Sequence, residues 1–143
     1  MTIKSLGYEG DLTPKEAWDM LSRDAQAQLI DCRTQPEWDF VGVPDLRVLD
    51  KRAFFIPWQV YPHMQQNEHF AAELKNQGLL PENRLLFICR SGGRSRMAAI
   101  AMTSSDFPHC YNVVQGFEGD RNEQGHRSHQ NGWKYHQLPW SQD

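Results

Sequence analysis

Apolar residues occur along this chain in short continuous runs, each bounded by polar or turn-forming residues. The runs AQLIDCR, AFFIPW, RLLFIC and CYNVV begin at positions 27, 53, 84 and 110. Runs of this length without strict alternation are typical of buried β-strands, because a strand covered on both faces has no solvent-facing positions. We predict a strand in each run, and Pro57 should end the second strand or place it near a sheet edge.

Helical signals lie between these runs. Thr13, Pro14 and Glu16 have the spacing of a capping box and predict a helix over DLTPKEAWDMLSR. Asn67 is the expected cap of a helix that continues through Leu74 and stops at the glycine and proline that follow. The segment TQPEWDF predicts a single helical turn, and SRMAAIAMTSS predicts a further helix that begins near its first serine.

The alternation of strands and helices predicts the fold class. An order of β-α-β-α-β with short strands favours an α/β fold with a mostly parallel central sheet of about five strands and helices on both faces. In such folds, ligands bind at the carboxyl ends of the strands. Asp31, Cys32 and Arg33 end the first predicted strand, and Cys89 ends the third. These residues are therefore the first candidates for a functional site.

The length of 143 residues fits a single domain. We predict one domain over 1–143, with a core at about 10–120 and a C-terminal wrapping tail over 117–143. The tail has no steady periodicity, but it carries apolar rings that a disordered segment usually lacks. These rings belong to Phe117, Trp133, Tyr135 and Trp140.

Composition excludes several classes of function. The formal net charge of −3 gives no reason to expect binding to nucleic acid. No apolar run is long enough to span a membrane, and the N-terminal residues carry no export signal, so we expect a cytoplasmic protein. The three cysteines are too few and odd in number for a disulfide framework, and no Cys/His cluster has the spacing of structural zinc.

Positive charge is concentrated near one strand end. Between positions 84 and 96 there are four arginines and no acidic residue. These are Arg84, Arg90, Arg94 and Arg96. We expect a small electropositive site that suits a small anion rather than a polyanion.

The stretch CRSGGRS at 89–95 joins the third predicted strand to a helix. Gly92 and Gly93 permit backbone angles that let successive N–H groups point inward and form an anion site. The helix N-terminus adds partial positive charge, and Arg90 and Arg94 stand close in sequence, so a thiol here should be favoured as the reactive thiolate. The alternative is a buried core cysteine before an ordinary glycine-rich turn, and such a turn can also bind phosphate.

Three motifs resemble the single-domain rhodanese-like proteins, a family of sulfurtransferases. CRSGGRS is similar to the family's active-site loop, LIDCRTQPEWDFVGVP to its first signature, and CYNVVQGFEG to its last strand and the turn after it. The resemblance implies a rhodanese-like fold with Cys89 as the nucleophile. It implies that the substrate is bound by Arg90, Ser91, Gly92, Gly93, Arg94 and Ser95. It also implies a supporting set of ion pairs and hydrogen bonds from Asp31, Arg33 and Glu37.

The chain departs from the family pattern at a few positions. Val43 replaces the usual histidine, Cys32 replaces an aliphatic residue, and Gly116 and Gly119 are not adjacent. A longer connection than usual, DLRVLDKRAFFIPWQVYPHMQQ, follows the first signature. None of these changes lies in the loop at 89–95, but the longer connection bears on access to it.

Spacing within the loop distinguishes two reactions. Related phosphatases need five residues between the cysteine and the arginine, whereas four separate Cys89 from Arg94 here, and Ser95 occupies the phosphatase arginine's place. The shorter loop favours sulfur transfer over a phosphatase or arsenate reductase. The resemblance implies that thiosulfate or another persulfide-type donor gives a sulfur to Cys89, and that cyanide, a small thiol or a protein thiol accepts it, without a metal or cofactor. The alternative from another class is a non-enzymatic rhodanese module for protein interaction or sulfur sensing.

Several other residues have two interpretations. Cys32 could form a regulatory disulfide with Cys89, although a small core side chain is favoured, and Cys110 is expected to pack in the core. His126 and His129 have no third ligand nearby and predict a solvated loop rather than a metal site. Trp58, Tyr61 and Phe117 either line the mouth of the pocket or pack in the core. The core is favoured for Trp58, and both interpretations stay open for Phe117.

Overall fold

A five-stranded parallel sheet forms the centre of the computed structural model, which describes residues 6–142. In chain order, the elements are β1 (Gly10–Leu12), α1 (Pro14–Arg23), β2 (Ala27–Asp31), α2 (Gln35–Val41), β3 (Val43–Pro44), β4 (Phe54–Phe55), β5 (Gln59–Val60), β6 (Gln65–Gln66), α3 (Phe70–Asn76), β7 (Arg84–Ile88), α4 (Gly93–Thr103), β8 (Cys110–Val113) and β9 (Trp140–Ser141). The sheet order is β1-β8-β7-β2-β4, and each neighbouring pair is parallel. The predicted α/β fold class is confirmed.

Helices cover both faces of this sheet, as predicted. Along β7, Leu85 and Phe87 pack with residues of α3 and α4, whereas Leu86 and Ile88 pack with residues of α1. The central strand therefore buries side chains on both sides, which explains why its sequence is continuously apolar. Because β2 and β7 are paired in register from Ala27 with Arg84 to Asp31 with Ile88, the residues that follow both strands emerge at the same sheet edge.

Local signals account for the starts of two helices. Thr13 and Glu16 form the predicted capping box of α1, with the Glu16 N–H donating to the Thr13 hydroxyl and the Thr13 N–H donating to the Glu16 carboxylate. At α2, the Thr34 N–H donates to Glu37 Oε1 at 3.1 Å. The Thr34 hydroxyl donates to the same oxygen at 2.9 Å, and the expected single turn in TQPEWDF is a helix of seven residues.

Several boundaries differ from the sequence predictions, and one strand of the central sheet was not predicted. The second strand spans only Phe54–Phe55, at the sheet edge, because the chain turns away before Pro57. Helix α4 begins at Gly93, two residues before Ser95. Asn67 is not the cap of α3, since the N-cap is His69, and the Asn67 side chain instead accepts the His69 N–H. Strand β1 was not predicted, because its sequence GDL carries no apolar run.

The segment after β8 packs against the sheet. Trp133 is fully buried with residues of α1, and its backbone N–H donates to the Gly116 carbonyl at 2.9 Å. Strand β9 then pairs antiparallel with β3. Of the helices among residues 6–142, none is long and apolar enough to cross a membrane.

Candidate active site

The loop between β7 and α4 surrounds the sulfur of Cys89. Cys89 Sγ accepts the Gly92 N–H at 3.2 Å and the Ser95 N–H at 3.3 Å. Gly92 is the N-cap of α4 and has no side chain to cap the helix, so the Cys89 sulfur occupies the place of a capping oxygen. Free N–H groups and the helix dipole favour negative charge at this point. The arrangement can therefore stabilise an anionic sulfur.

Backbone conformation at Gly92 creates this geometry. Its φ is +114° with ψ −10°, which side-chain-bearing residues rarely adopt. Gly93, by contrast, lies in the helix, and a Cβ there would meet no atom within 4 Å. The two adjacent glycines therefore have different roles in the loop.

These roles predict unequal effects of substitution. Gly92→Ala strains the turn that aims the N–H at the sulfur, so we expect the rate of Cys89 alkylation by iodoacetamide at neutral pH to fall about tenfold. Gly93→Ala is the matched control and should change that rate less than about twofold. Equal rates in the two variants would contradict the role given to Gly92.

A turn at residues 116–118 of the C-terminal segment forms hydrogen bonds to the backbone of the loop between β7 and α4. The Phe117 N–H donates to the Cys89 carbonyl at 2.8 Å, and the Glu118 N–H donates to the Arg90 carbonyl at 3.0 Å. Gly116 approaches so closely that a Cβ would lie 2.5 Å from the Cys89 carbonyl oxygen. The glycine in the turn after the last sheet strand is thus required by contact with the loop.

Ser95 and Asn112 extend the bonding of the sulfur into the sheet. Ser95 Oγ lies 3.2 Å from Cys89 Sγ and donates to Asn112 Oδ1 at 2.6 Å. The exposed fractions of Cys89, Ser95 and Asn112 are 1%, 0% and 3%. Sequence reasoning placed Ser95 in the loop but missed Asn112, which lies on the predicted strand CYNVV without any catalytic motif around it.

Arg94 forms an ion pair with Glu37 and lies on the lining of a cavity beside the loop. Its guanidinium donates to both carboxylate oxygens, at 2.7 and 2.9 Å, and both side chains are largely buried. Burial alone would raise the pKa of Glu37, but the hydrogen bonds and charge of Arg94 outweigh it and lower that pKa to about 2. The same carboxylate raises the pKa of Arg94, against the effect of its burial. The pair ties α2 to the start of α4.

This lowered pKa predicts a pH dependence of stability. Because the folded-state pKa of Glu37 is about 2 and the ordinary value is 4.5, its contribution is complete above about pH 5 and is lost as the pH falls toward 2. We expect about 2 kcal/mol of the free energy of unfolding to disappear over that range, allowing for partial solvent screening. Glu37→Gln should flatten this part of the curve in urea titrations. The exposed control Glu123→Gln should give the same dependence of unfolding free energy on pH as the wild-type protein. A Glu37→Gln curve as steep as that of the wild-type protein would contradict the prediction.

Asp31 and Arg33 form a buried ion pair next to this region. Both side chains are fully buried, and Arg33 donates from Nε to Asp31 Oδ1 at 2.9 Å and from Nη2 to Oδ2 at 2.7 Å. Arg33 Nη2 also donates to the Gly42 carbonyl at 2.8 Å, and the guanidinium carbon lies 4.3 Å from the ring centre of Phe117. The pair joins the end of β2 to the turn after α2.

Only part of the expected arginine cluster reaches the site. Arg84 pairs with Asp24 at 3.2 Å at the opposite end of β7, and Arg96 is exposed on α4. A cavity of about 520 Å³ lies beside the loop. It is lined by Thr34, Pro36, Glu37, Val41, Tyr61, Met64, Arg90, Arg94, Glu118 and Arg127. Positive charge at the cavity thus comes from Arg90 and Arg127, beside Glu118 and the Arg94–Glu37 pair, and not from all four of the expected arginines.

The longer connection supplies one wall of this cavity. Tyr61 and Met64 lie in the hairpin formed by β5 and β6, and both are exposed. Met64 and Arg127 were missed by sequence reasoning, because no motif links those positions to the loop. Ser91, predicted to bind substrate, lines a neighbouring cavity of about 530 Å³ together with residues 120–127.

The other cysteines are buried. The three thiols are free, and Cys32 and Cys110 are both fully buried. Burial raises the pKa of Cys32 well above its ordinary value, and burial raises the pKa of Cys110 to about 12. Both thiols are therefore poor nucleophiles. The Cys32 S–H donates to the Ile88 carbonyl at 3.4 Å, and Cys110 packs in the core as expected.

The remaining aromatic and histidine residues fall into core and surface groups. Trp58 and Phe117 are core residues, which settles the position of Phe117, whereas Tyr61 is exposed at the cavity. His126 and His129 are exposed, with ring centres 5.4 Å apart. Within residues 6–142, no group of three His, Cys, Asp or Glu side chains is arranged to hold a metal ion.

Sequence comparisons relate the chain to other proteins. The family model described as the STR4 middle domain matches residues 10–143. An uncharacterised protein of Rickettsia conorii is 35% identical over 125 residues, which span 87% of this chain and 91% of that protein. The chloroplastic rhodanese-like domain-containing protein 4 of Arabidopsis thaliana is 30% identical over 138 residues, which span 96% of this chain and 26% of that protein.

Structural comparisons agree on the fold. The crystal structure of Rv0390 from M. tuberculosis has 42% sequence identity and a TM-score of 0.86, with 95% of this chain and 99% of that chain covered. The solution structure of a polysulfide-sulfur transferase homodimer from Wolinella succinogenes has 20% identity and a TM-score of 0.63, with 99% of this chain and 85% of that chain covered.

Proposed function

The chain belongs to the rhodanese-like family, in the group described by the STR4 middle domain, and we propose that it is a sulfurtransferase which carries a sulfane sulfur on Cys89. The observation that carries this proposal is the pair of backbone N–H groups, from Gly92 and Ser95, that point at Cys89 Sγ from the first turn of α4. Donors fixed in this way favour the thiolate, which is the nucleophilic form of cysteine, and the positive end of the α4 dipole would also favour the charged outer sulfur of a persulfide.

Loop geometry supports sulfur transfer over phosphoester hydrolysis. The position that a phosphatase arginine would take is Ser95, which is fully buried and donates to Asn112. Arg94, one residue earlier, is held by Glu37 in a two-bond ion pair. Ser95 is uncharged, so it would not hold the oxygens of a phosphoryl group as a phosphatase arginine would.

In the first half-reaction, the Cys89 thiolate attacks the outer sulfur of a donor such as thiosulfate. A new S–S bond forms to Cys89 while the S–S bond of thiosulfate breaks, and sulfite leaves with the electron pair. Arg90 and Arg127 would draw the anionic donor into the cavity, because the three arginines on its lining outnumber its two carboxylates, Glu37 and Glu118. The N–H groups of Gly92 and Ser95 stabilise the persulfide anion that results.

In the second half-reaction, a thiophile removes the outer sulfur from Cys89 and restores the thiolate. Cyanide would leave as thiocyanate, and a small thiol such as glutathione or a protein thiol would leave as a persulfide. The protein from Wolinella succinogenes is a polysulfide-sulfur transferase, which adds polysulfide to the donors worth testing. Neither half-reaction requires a metal or an organic cofactor.

The proposal also includes the cellular compartment of the protein and the extent of its domain. The three thiols are free, which fits a reducing compartment, and we place the reaction in the cytoplasm. We also infer that the sheet and the C-terminal segment act as one rhodanese-like domain, because Gly116, Phe117 and Glu118 directly support the loop.

Competing substrates test the proposed reaction. The protein is incubated with thiosulfate and cyanide, and separately with p-nitrophenyl phosphate, while thiocyanate and nitrophenol are measured. We expect catalytic formation of thiocyanate and no release of nitrophenol. Release of nitrophenol without thiocyanate would overturn the proposal in favour of a phosphatase. Turnover of neither substrate would instead favour a non-enzymatic rhodanese module.

A further inference from the structure

A buried chain of hydrogen bonds connects the Cys89 sulfur to strand β8. Ser95 Oγ lies 3.2 Å from Cys89 Sγ and donates its proton to Asn112 Oδ1 at 2.6 Å. Asn112 on β8 lies opposite Phe87 on the parallel strand β7, and Phe87 is two positions before Cys89. Cys89, Ser95 and Asn112 are all buried, so the loss of one hydrogen-bond partner costs free energy that water does not restore.

The single proton of the Ser95 hydroxyl determines how Asn112 affects the Cys89 sulfur. A serine hydroxyl has one proton to donate, and here Asn112 takes it, so Ser95 can only accept at the sulfur. That arrangement suits a neutral thiol, which donates its S–H to Ser95. A thiolate has no proton to give, so it gains from Ser95 only if the hydroxyl turns away from Asn112.

We propose that Asn112 is a positioning residue for sulfur transfer, which competes with the Cys89 sulfur for the Ser95 proton and thereby sets how readily the thiolate forms. This inference rests on the proposed role of Cys89 as the nucleophile. The N–H groups of Gly92 and Ser95 are fixed by the backbone, whereas the direction of the Ser95 hydroxyl depends on its partner. A rotation of the Asn112 side-chain amide by half a turn places its NH₂ group, in place of Oδ1, against Ser95. The Ser95 hydroxyl is then free to donate to the sulfur.

Several other groups act on the sulfur without a contact through Asn112. Arg94 on α4, paired with Glu37 of α2, and the Cys32 thiol at the end of β2 interact electrostatically with Cys89. Asn112 itself is uncharged, and the supporting turn contributes backbone groups of Phe117. A change in the behaviour of Cys89 in an uncharged Asn112 variant therefore reports on the hydrogen-bond chain, whereas a charged variant also acts through its charge.

Two substitutions of similar size should act in opposite directions. Asn112→Leu cannot accept the Ser95 proton, so the hydroxyl is left for the sulfur. Asn112→Asp, when ionised, can only accept, so it holds the proton and adds negative charge. The rate of Cys89 alkylation by iodoacetamide is measured against pH, with the labelled peptide identified by mass. We expect the midpoint to move down by about half to one pH unit in Asn112→Leu, and up by a similar amount in Asn112→Asp.

Removal of the linking hydroxyl provides the control. In a Ser95→Ala background, Asn112→Leu should no longer move the midpoint, because the connection to the sulfur is gone. Shifts in the same direction for both variants, or a shift for Asn112→Leu that persists without Ser95, would overturn the proposal. If the leucine variant fails to fold, Asn112→Asp, which keeps the shape of the native side chain, is compared in the native and Ser95→Ala backgrounds. A shift of the same size in both backgrounds would come from charge alone and would overturn the proposal.

The assay also separates this inference from the proposed function. Alkylation needs no sulfur donor, so it reports on the Cys89 thiolate even if thiosulfate is not a substrate. Opposite midpoint shifts in a protein that takes up no sulfur would support the hydrogen-bond chain and contradict the sulfurtransferase. Normal sulfur uptake with unmoved midpoints would contradict only the role of Asn112.

Discussion

Replacing Cys89 with serine is expected to abolish sulfur transfer, with the rate of thiocyanate formation falling by about a thousandfold or more. Oxygen in place of sulfur removes both the thiolate and the atom that would carry the persulfide. The loop should persist, because a serine hydroxyl can also accept the Gly92 and Ser95 N–H groups that cap α4. The measurement is steady-state turnover of thiosulfate and cyanide, together with the free energy of unfolding.

A matched cysteine substitution makes this result specific. Cys110 is fully buried on β8 and burial raises its pKa to about 12, so Cys110→Ser should retain most of the turnover of the folded protein. Cys32→Ser tests the nearer thiol, which could otherwise be the true carrier. Loss of turnover in Cys32→Ser, with turnover retained in Cys89→Ser, would assign the chemistry to Cys32 and contradict the account.

Replacing Arg33 with methionine is expected to lower the free energy of unfolding by about 3–5 kcal/mol. Methionine fills much of the volume, but it leaves the carboxylate of Asp31 buried without its two charged hydrogen bonds. It also removes the donor to the Gly42 carbonyl and the cation over Phe117. Urea denaturation of the folded protein measures this loss directly.

The chain offers a control with the same local geometry at its surface. Arg47 donates to Asp45 through Nε and Nη2 and stands two residues after it, as Arg33 does with Asp31, but the Arg47 side chain is 82% exposed. Arg47→Met should change stability little, because water replaces the lost partner. Adding Asp31→Asn to Arg33→Met should recover part of the loss. Equal stability of the Arg33 and Arg47 variants would show that burial of the pair is not what makes it important.

Local sequence signals were sufficient for much of the fold. The spacing of Thr13 and Glu16 identified a helix start whose hydrogen bonds the structure contains, and the uninterrupted run RLLFIC identified the central strand. These predictions succeeded because caps and fully buried strands are determined by neighbouring residues. Strand β1 was missed, because three residues at an edge contact with β8 carry no pattern of their own.

Contacts between distant segments were beyond the reach of the sequence. The loop CRSGGRS marked Cys89 and the resemblance implied a supporting role for Glu37, but nothing in the sequence indicated that Glu37 would pair with Arg94, 57 residues away. Arg127 and Met64 reach the same cavity from a tail and a hairpin without motifs. Asn112 contacts Ser95 because β8 lies beside β7, and that order is a property of the sheet rather than of either segment.

The central claim is that Cys89 accepts and carries one sulfur atom. The most direct test is the intact mass of the wild-type protein after incubation with thiosulfate and removal of excess reagent, followed by addition of cyanide. We predict a gain equal to the mass of one sulfur atom, located on the peptide that contains Cys89 and lost on exposure to cyanide. A wild-type protein that gains no sulfur, or that gains it at Cys32 or Cys110, would contradict the account.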